Sequence, residues 1–251
     1  MITSSQNDRI KHVRLLQQQA RARRKHQQLV LEGARLVEDA LASGARPDFV
    51  CYTESSAGLV AGLDFGGASC LLVADALMRD MADTETPQGI LAVFPWPTLP
   101  LPDQPRLVLA ADGWRDPGNL GTMLRTAAAA GVDLVALLPG TVDPFNPKTL
   151  RAGMGAQFRV PVGVFEWEAL VARYDGLAVR LAAMDGAVAH TAVDWTQPSL
   201  LVIGGEAHGL SVAPEGATTV SIPMVAGVES LNAAVSAAVL VYEARRQWGE
   251  A

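Results

Sequence analysis

Two short segments in the last third of the chain constrain its fold more than any others. Residues 201–211 read LVIGGEAHGLS, and residues 219–232 read TVSIPMVAGVESLN. Each begins with an apolar run typical of a buried parallel strand and continues into small or polar residues that a ligand can approach closely. The pattern therefore predicts two strands and two loops around a pocket, with Ser230 as the cap of a terminal helix.

The rest of the chain alternates between helical and strand-like segments, separated by glycine and proline. Strands are predicted at residues 29–31, 48–53, 71–73, 89–94, 107–111, 134–138, 160–164, 177–183, 199–203 and 219–222. Helices are predicted at residues 7–19, 34–42, 75–82, 122–130, 148–156, 166–174 and 231–247. Alternation of this kind predicts an α/β fold with mostly parallel sheets.

A proline-rich segment divides the chain. Five prolines lie between positions 95 and 105. Because proline lacks a backbone N–H and fixes its φ angle, such a segment cannot continue a helix or an interior strand. It predicts a stiff linker at residues 96–105 between a first domain, residues 1–95, and a second domain, residues 106–251.

Composition and motifs disfavour several classes of protein. No apolar stretch approaches the roughly 20 residues of a membrane span, and the first eight residues lack the layout of a signal peptide, so we expect a cytoplasmic protein without a membrane partner. Cys51 and Cys70 are expected to be reduced and packed, and the four histidines form no metal-binding pattern. The lack of complete GxGxxG, GxxxxGK[ST] and GxSxG motifs disfavours dinucleotide enzymes, P-loop enzymes and serine hydrolases.

The amino-terminal segment is basic although the chain is acidic overall. Residues 1–25 hold seven basic side chains and one acidic one, a charge of +6, while the whole chain carries −6. The basic residues are Arg9, Lys11, Arg14, Arg21, Arg23, Arg24 and Lys25. A compact basic patch is expected where nucleic-acid phosphates bind, but a solvated helix face has the same composition. Charge alone leaves both interpretations open.

Motifs of the second domain resemble those of a known family. They are DPGNLGTMLRTA at residues 116–127, GGEAHGLS at 204–211, and IPM at 222–224 with SLN at 230–232. In order and spacing they resemble the three motifs of the SpoU (TrmH-like) RNA ribose 2'-O-methyltransferases. The first domain is similar to the substrate-binding domain often fused in front of them, in NDRIK at 7–11, LEGAR at 31–35 and QGILAV at 88–93.

The resemblance implies a fold and a cofactor. It implies a parallel-sheet SPOUT domain whose carboxyl-terminal segment forms a trefoil knot, preceded by a small α/β RNA-binding domain similar to ribosomal protein L30e. Members of this family bind S-adenosylmethionine in the knot and work as homodimers. The positions that would contact this methyl donor are Gly204, Gly205, Ile222, Met224 and Leu231.

The resemblance also implies catalytic positions, which are Asn119, Arg125, Glu206, Ser230 and Asn232. Taken singly, these residue types are more often caps, turns or solvated charges; it is their occurrence together in three motifs that favours catalysis. Arginine is a poor general base because its pKa lies above ~12. We therefore expect Arg125 to orient the substrate phosphate and hydroxyl. Arg35 and Arg151 also match family-like patterns. Both are assigned to RNA contact, with a structural role as the alternative for Arg151.

Two departures from the family pattern are Ala207, where glycine is common, and Gly153, where serine is common. Neither removes a side chain assigned to catalysis. The sequence thus predicts an S-adenosylmethionine-dependent methyltransferase acting on a ribose 2'-hydroxyl, with 23S ribosomal RNA favoured over transfer RNA because of the first domain. A resistance enzyme acting on one rRNA loop, and a non-catalytic knotted protein of RNA binding or ribosome assembly, remain alternatives.

Overall fold

The computed structural model describes residues 1–205 and 209–249. The chain forms two compact units, one of Met1–Thr98 with Phe145–Phe158, the other of Leu99–Pro144 with Arg159–Ala251. The segment Phe145–Phe158 thus groups with the first unit, although its place in the sequence put it in the second domain. Among the described residues, no helix is both long enough and apolar enough to cross a membrane.

The helices in chain order are α1 (Asp8–Gln18), α2 (Ala20–His26), α3 (Ala34–Ala42), α4 (Ala57–Ala61), α5 (Asp75–Met81), α6 (Pro117–Ala130), α7 (Pro147–Gly153), α8 (Trp167–Arg173) and α9 (Ala233–Gln247). The strands are β1 (Gln28–Glu32), β2 (Phe49–Tyr52), β3 (Ser69–Leu72), β4 (Ile90–Pro95), β5 (Leu107–Asp112), β6 (Leu134–Leu137), β7 (Val162–Val164), β8 (Ala178–Ala182), β9 (Val188–Ala189), β10 (Ser199–Gly204) and β11 (Thr218–Ser221). The alternation predicted from the sequence is present in both units.

The first unit contains a mixed sheet of four strands in the order β1-β4-β2-β3. Strand β4 is antiparallel to both β1 and β2, and only β2 and β3 are parallel. The prediction of a mostly parallel sheet is therefore wrong for this unit. The irregular residues 82–89 between α5 and β4 are long enough, at about 3.3 Å per extended residue, to carry the chain back and reverse the strand direction.

Strand alternation gives the first sheet two apolar faces. In β1, Leu29 and Leu31 belong to one buried cluster, which α3 covers, whereas Val30 belongs to the other. Residues of α1 and α5 complete the second cluster, with Ile10 and Met78 fully buried in it. Successive side chains of a strand point to opposite faces of the sheet, so strands that are apolar on both faces need helices packed on both.

The second unit is built on a seven-stranded sheet in the order β7-β6-β5-β10-β8-β11-β9, and every strand pair in it is parallel. This confirms the parallel sheet predicted for the second domain. The central strands β5 and β10 are buried along almost their whole length, as expected for strands with helices on both faces.

Two helices of this unit begin elsewhere than predicted. Helix α6 begins at Pro117 rather than at residue 122, because the Asp116 carboxylate caps it by accepting from the Asn119 N–H at 2.7 Å. Proline lacks an N–H group, and the N–H at the first helical position has no partner within the helix in any case. Helix α9 is capped by Asn232, whose Oδ1 accepts from the N–H groups of Ala234 and Val235, so the assignment of the cap to Ser230 is wrong.

The two cysteines lie in different surroundings within the first unit. Neither forms a disulfide, which confirms that they are reduced. Cys51 is buried, and burial raises the pKa of its thiol to about 12. Cys70 is exposed, so the expectation that both are packed is wrong for this residue.

Arg23 has a structural role instead of the RNA contact predicted for it. Its side chain is only 2% exposed, and Nη1 donates to the backbone oxygens of Leu16 at 2.6 Å and Gln17 at 3.1 Å. These bonds join α2 to the end of α1, where the helix breaks at Gln19. A guanidinium enclosed in this way cannot reach a phosphate, so the prediction is wrong for Arg23.

Replacing Arg23 with Ala should lower the free energy of unfolding by about 1.5–3 kcal/mol, because two carbonyl groups lose a charged donor in a buried place. Arg21→Ala, at an exposed position on the same helix, should change it by less than about 0.5 kcal/mol. Urea denaturation followed by circular dichroism measures both. Equal effects of the two substitutions would contradict the structural role.

Iodoacetamide at pH 8 should alkylate Cys70 in the native protein and leave Cys51 intact. Thiolate is the reactive form, and a thiol with a pKa of about 12 supplies only about one thiolate in ten thousand at that pH. Mass spectrometry of tryptic peptides, before and after denaturation, measures the difference. Modification of Cys51 at the rate seen for Cys70 would show that the thiol is accessible.

Candidate active site

A cavity of about 420 Å³ opens at the carboxyl ends of β8, β10 and β11. Parallel sheets bind ligands at this edge, and small-molecule sites have volumes of about 300–1,000 Å³. All five residues predicted to contact a methyl donor line it: Gly204, Gly205, Ile222, Met224 and Leu231. The structure thus brings together residues from both carboxyl-terminal segments that the sequence singled out.

Glycines of β10 and the loop after it allow backbone to pack on backbone. A Cβ atom at Gly204 would lie 2.3 Å from the carbonyl carbon of Gly209, and one at Gly205 would lie 2.7 Å from the Gly113 oxygen. The Gly205 N–H donates to Asp112 O at 2.8 Å, and the Gly209 N–H donates to Gly205 O at 2.9 Å. A side chain at Gly204 or Gly205 would push the wall of the cavity apart.

Two residues that sequence reasoning missed hold this loop in place. The buried carboxylate of Asp112, 2% exposed, accepts from the Ser211 N–H at 2.5 Å and from the Ser211 hydroxyl at 2.7 Å. The Trp114 indole N–H donates to Ile203 O at 2.8 Å. An acid at the end of a buried strand was a signal in the sequence, since a buried carboxylate requires donors nearby.

The cavity wall is apolar and carries little charge. Apart from the hydroxyls of Ser230 and Ser236, the lining side chains that the structure describes are apolar or absent, and none is ionisable. Polar contacts with a bound molecule would therefore come mostly from backbone groups. Such a wall suits a flat aromatic ring system, since the transfer of apolar surface out of water lowers the free energy.

A second cavity of about 170 Å³ adjoins the first and shares Gly205 and Ala233 with it. Asn119, from the first turn of α6, lines this smaller cavity. Its side-chain oxygen accepts from the Asn232 Nδ2 at 3.0 Å. Ser230 lines the larger cavity, and Asn232 lies between Leu231 and Ala233, which also line it. Three of the predicted catalytic residues are therefore at or beside the two cavities.

The other two predicted catalytic residues are not placed in this group. Arg125 is exposed on α6 and lines neither cavity. It follows Asn119 by six residues, about 9 Å along the helix axis. Glu206 lies outside the described residues.

The predicted RNA-binding residues have different surroundings. Five of them are exposed on α1 and α2: Arg9, Lys11, Arg21, Arg24 and Lys25. Arg9 lies over the ring of Phe49 at 4.7 Å, and Arg14 forms an ion pair with Asp80. Arg35 and Arg151 line a separate cavity of the first unit.

The second unit, with its parallel sheet and a glycine-walled pocket at the strand ends, has the architecture of a SPOUT-like methyltransferase domain. Residues 106–242 match the model of the SpoU rRNA Methylase family, and residues 7–92 match that of the MRM3-like substrate binding domain. The chain belongs to the SpoU rRNA methylase family and is an S-adenosylmethionine-dependent RNA methyltransferase.

Similar proteins align along most of the chain. The 23S rRNA (guanosine(2553)-2'-O)-methyltransferase RlmP of Bacillus subtilis is 35% identical, over 97% of this chain and 98% of its own. The human mitochondrial rRNA methyltransferase 3 is 34% identical, over 90% of this chain and 69% of its own. The structure of the AdoMet-bound rRNA methyltransferase from Sinorhizobium meliloti superposes with a TM-score of 0.84 at 31% identity, covering 98% of this chain and 97% of that one.

Gly204→Ala should weaken S-adenosylmethionine binding at least tenfold, because the new methyl group cannot fit beside the backbone of Gly209. Gly176→Ala is the matched control, since a Cβ at that exposed position meets no atom within 4 Å. Titration calorimetry measures both affinities, and circular dichroism checks the fold. Wild-type affinity in Gly204→Ala would show that the loop does not form the donor site.

Proposed function

We propose that this protein transfers the methyl group of S-adenosylmethionine to a ribose 2'-hydroxyl in 23S ribosomal RNA. The observation that carries the proposal is the junction of the Asn119–Asn232 pair with a cavity whose described lining side chains are apolar or small and include no ionisable group. The cavity residues fit the donor, because its apolar walls suit the adenine ring and its polar contacts come from backbone groups. The B. subtilis relative, similar over almost its whole length, is named for this reaction on 23S rRNA.

The residues around the junction would position the reactants. When bound, S-adenosylmethionine supplies an electrophilic methyl group. Asn119 and Asn232 orient each other through their hydrogen bond, and carboxamide groups, which carry both donors and acceptors, are of the type that can bind a ribose. A weak nucleophile gains several kcal/mol when it is held in line with the group it attacks.

Arg125 is proposed to bind the phosphate next to the target ribose and to orient its hydroxyl. A guanidinium stays protonated in proteins and is a poor proton acceptor, so the phosphate or a local network takes the proton. Because Arg125 lines neither cavity of its own chain, we assign it to the site of a second copy in a homodimer. No metal is assigned to this chemistry.

The face of α9 supports that homodimer. Val235 and Tyr242, seven residues apart on one side of the helix, are 48% and 49% exposed. The opposite side, with Ala237 and Val241, is fully buried. Apolar residues repeated on an exposed helix face are typical of a surface that a partner covers.

Two features of the fold are part of the proposal. Two observations support a trefoil knot in the second unit. The backbone packs closely against other backbone at Gly204 and Gly205, and α9 packs on α6 and β10. The exposed cations of α1 and α2 support RNA docking by the first unit, for which we propose an L30e-like fold. A cytoplasmic location is also part of the proposal.

Ribosomal RNA is favoured over transfer RNA by the extent of similarity. A solved structure titled for 2-OH methylation of C/U34 on tRNA matches 57% of this chain with a TM-score of 0.51. The S. meliloti rRNA methyltransferase matches 98%. The first unit therefore has a counterpart in the rRNA enzyme, and a substrate-binding unit is where the choice of RNA is made.

The test is methyl transfer by the purified protein with labelled S-adenosylmethionine and unmodified 23S rRNA or total tRNA. We expect label in 23S rRNA at one nucleotide that then resists alkaline cleavage, as a 2'-O-methylated linkage does. Label in tRNA alone would refute the choice of substrate. Donor binding without transfer to any cellular RNA would favour the non-catalytic alternative.

Arg125→Ala should lower the rate of methyl transfer at least a hundredfold and leave the affinity for S-adenosylmethionine within about twofold. The reason is that Arg125 is proposed to hold the RNA phosphate and orient the hydroxyl, and not to contact the methyl donor. Arg173→Ala removes the same charge from the exposed side of α8 and should keep normal activity. Full activity of Arg125→Ala would remove this residue from the mechanism.

A mixture of variants tests where Arg125 acts. If it serves the partner's site, a heterodimer of Arg125→Ala and Asn232→Ala has one intact site, and random exchange of subunits restores about a quarter of wild-type activity. If Arg125 serves its own chain, the mixture stays inactive.

A further inference from the structure

The first unit contains a cavity of its own, about 340 Å³ in volume, apart from the methyl-donor cavity. It lies at the start of α3 and beside the loop before β4. Its polar lining consists of Glu32, Arg35, Thr84, Thr86, Gln88 and Arg151. Gly33, Leu36 and Met154 complete it. All of these residues belong to the first unit.

Arg151 is held rigidly at the wall of this cavity. Its Nη2 donates to the Asp83 carboxylate at 2.5 Å, while Nη1 stands 3.9 Å from Glu32 Oε2. The Nη1 atom is buried and has no hydrogen-bond partner among the described residues. An unsatisfied donor of a charged group is costly, and a ligand acceptor in the cavity would remove that cost.

Glu32 is occupied by its own loop. One carboxylate oxygen accepts from the Asp83 N–H at 2.8 Å, and the other accepts from the N–H and hydroxyl of Thr84. The carboxylate therefore fixes the loop and Arg151 in place. The lining side chains contain two guanidinium groups and this one carboxylate.

The start of α3 adds further donors. Its cap residue is Gly33, with φ of 98°, which has no side chain of its own to cap the helix. Gln88 Oε1 accepts from the Ala34 N–H at 2.9 Å, which leaves the N–H groups of the next two residues at the cavity. Arg35 is exposed at the same end of the helix. Helix starts attract anions, and arginine binds phosphate through a planar fork.

We propose that this cavity binds one backbone phosphate of the substrate RNA, held by Arg35, by Nη1 of Arg151 and by the start of α3. This proposal rests on the proposed function, because it assigns a contact of the same RNA outside the methyl-transfer site. Leu36 and Met154 form the apolar side against which the attached ribose packs. The volume of about 340 Å³ holds a nucleotide unit rather than a phosphate alone.

The cavity differs in kind from the basic surface of α1 and α2. Exposed lysines and arginines on those helices attract RNA without fixing its position. A cavity with a rigid arginine and oriented N–H groups places one phosphate at a defined point. The first unit would therefore set the register of the RNA in addition to attracting it.

The first experiment measures the affinity of the full-length protein for a 23S rRNA transcript at increasing KCl. Loss of one phosphate contact should lower the slope of log K against log salt by about 0.7–0.9. We expect this change, with weaker binding, in Arg35→Ala. Arg46→Ala is the matched control, because it removes an exposed charge near the other end of α3, and its slope should equal that of the wild type.

The second experiment titrates inorganic phosphate into the full-length protein and follows backbone amide NMR signals. We expect saturable shifts at residues 33–36 that disappear in Arg35→Ala. Calorimetry with S-adenosylmethionine checks that the variant keeps its donor site, and Arg35 is exposed, so the fold is not at risk.

The outcomes separate this proposal from the proposed function. Equal salt slopes for Arg35→Ala and Arg46→Ala, or phosphate shifts confined to α1 and α2, would overturn the phosphate site. Phosphate shifts at residues 33–36 with no change in the RNA salt slope would also overturn it, because the anion bound there would not be RNA. If the wild type transfers no methyl group to rRNA, the proposed function fails, yet the phosphate titration still decides whether the cavity binds this anion.

Discussion

The contact of bare backbone at Gly204, Gly205 and Gly209 is the constraint on which the second unit depends. These glycines let the chain after β10 lie directly against the strand and against Gly113. The Asp112 carboxylate then fixes the loop through Ser211. Backbone hydrogen bonds and one buried acid thus fix the glycine loop that forms part of the cavity wall.

The two units separate two kinds of binding. The donor cavity has no ionisable side chain among its described lining residues, which suits a small ligand bound through shape and backbone groups. The first unit carries exposed cations on α1 and α2 and the arginine-lined cavity at α3. The cations proposed to attract RNA phosphates thus belong to the first unit, and the cavity proposed for the methyl donor belongs to the second.

The sequence predicted the features that depend on local pattern and failed where long-range contacts decide. Apolar runs ending in glycine predicted the parallel sheet and its pocket. The direction of β4 was not predictable, because the alternation of elements says nothing about a loop that turns the chain back. The start of α6 was predicted too late, because Asp116 and Pro117 are residue types that occur in turns as well as at helix starts. Charge alone could not distinguish the buried Arg23 from its exposed neighbours. The proposed role of Arg125 depends on a second copy of the chain, which a single sequence does not show.

Asn232 performs two tasks with one side chain. Its oxygen caps α9, and its nitrogen donates to Asn119 on α6. Formation of α9 therefore also orients the Asn232 amide toward Asn119. Loss of the first turn of α9 would remove the N–H groups that fix the Asn232 oxygen, and with them the orientation of the amide pair on which the proposed chemistry depends.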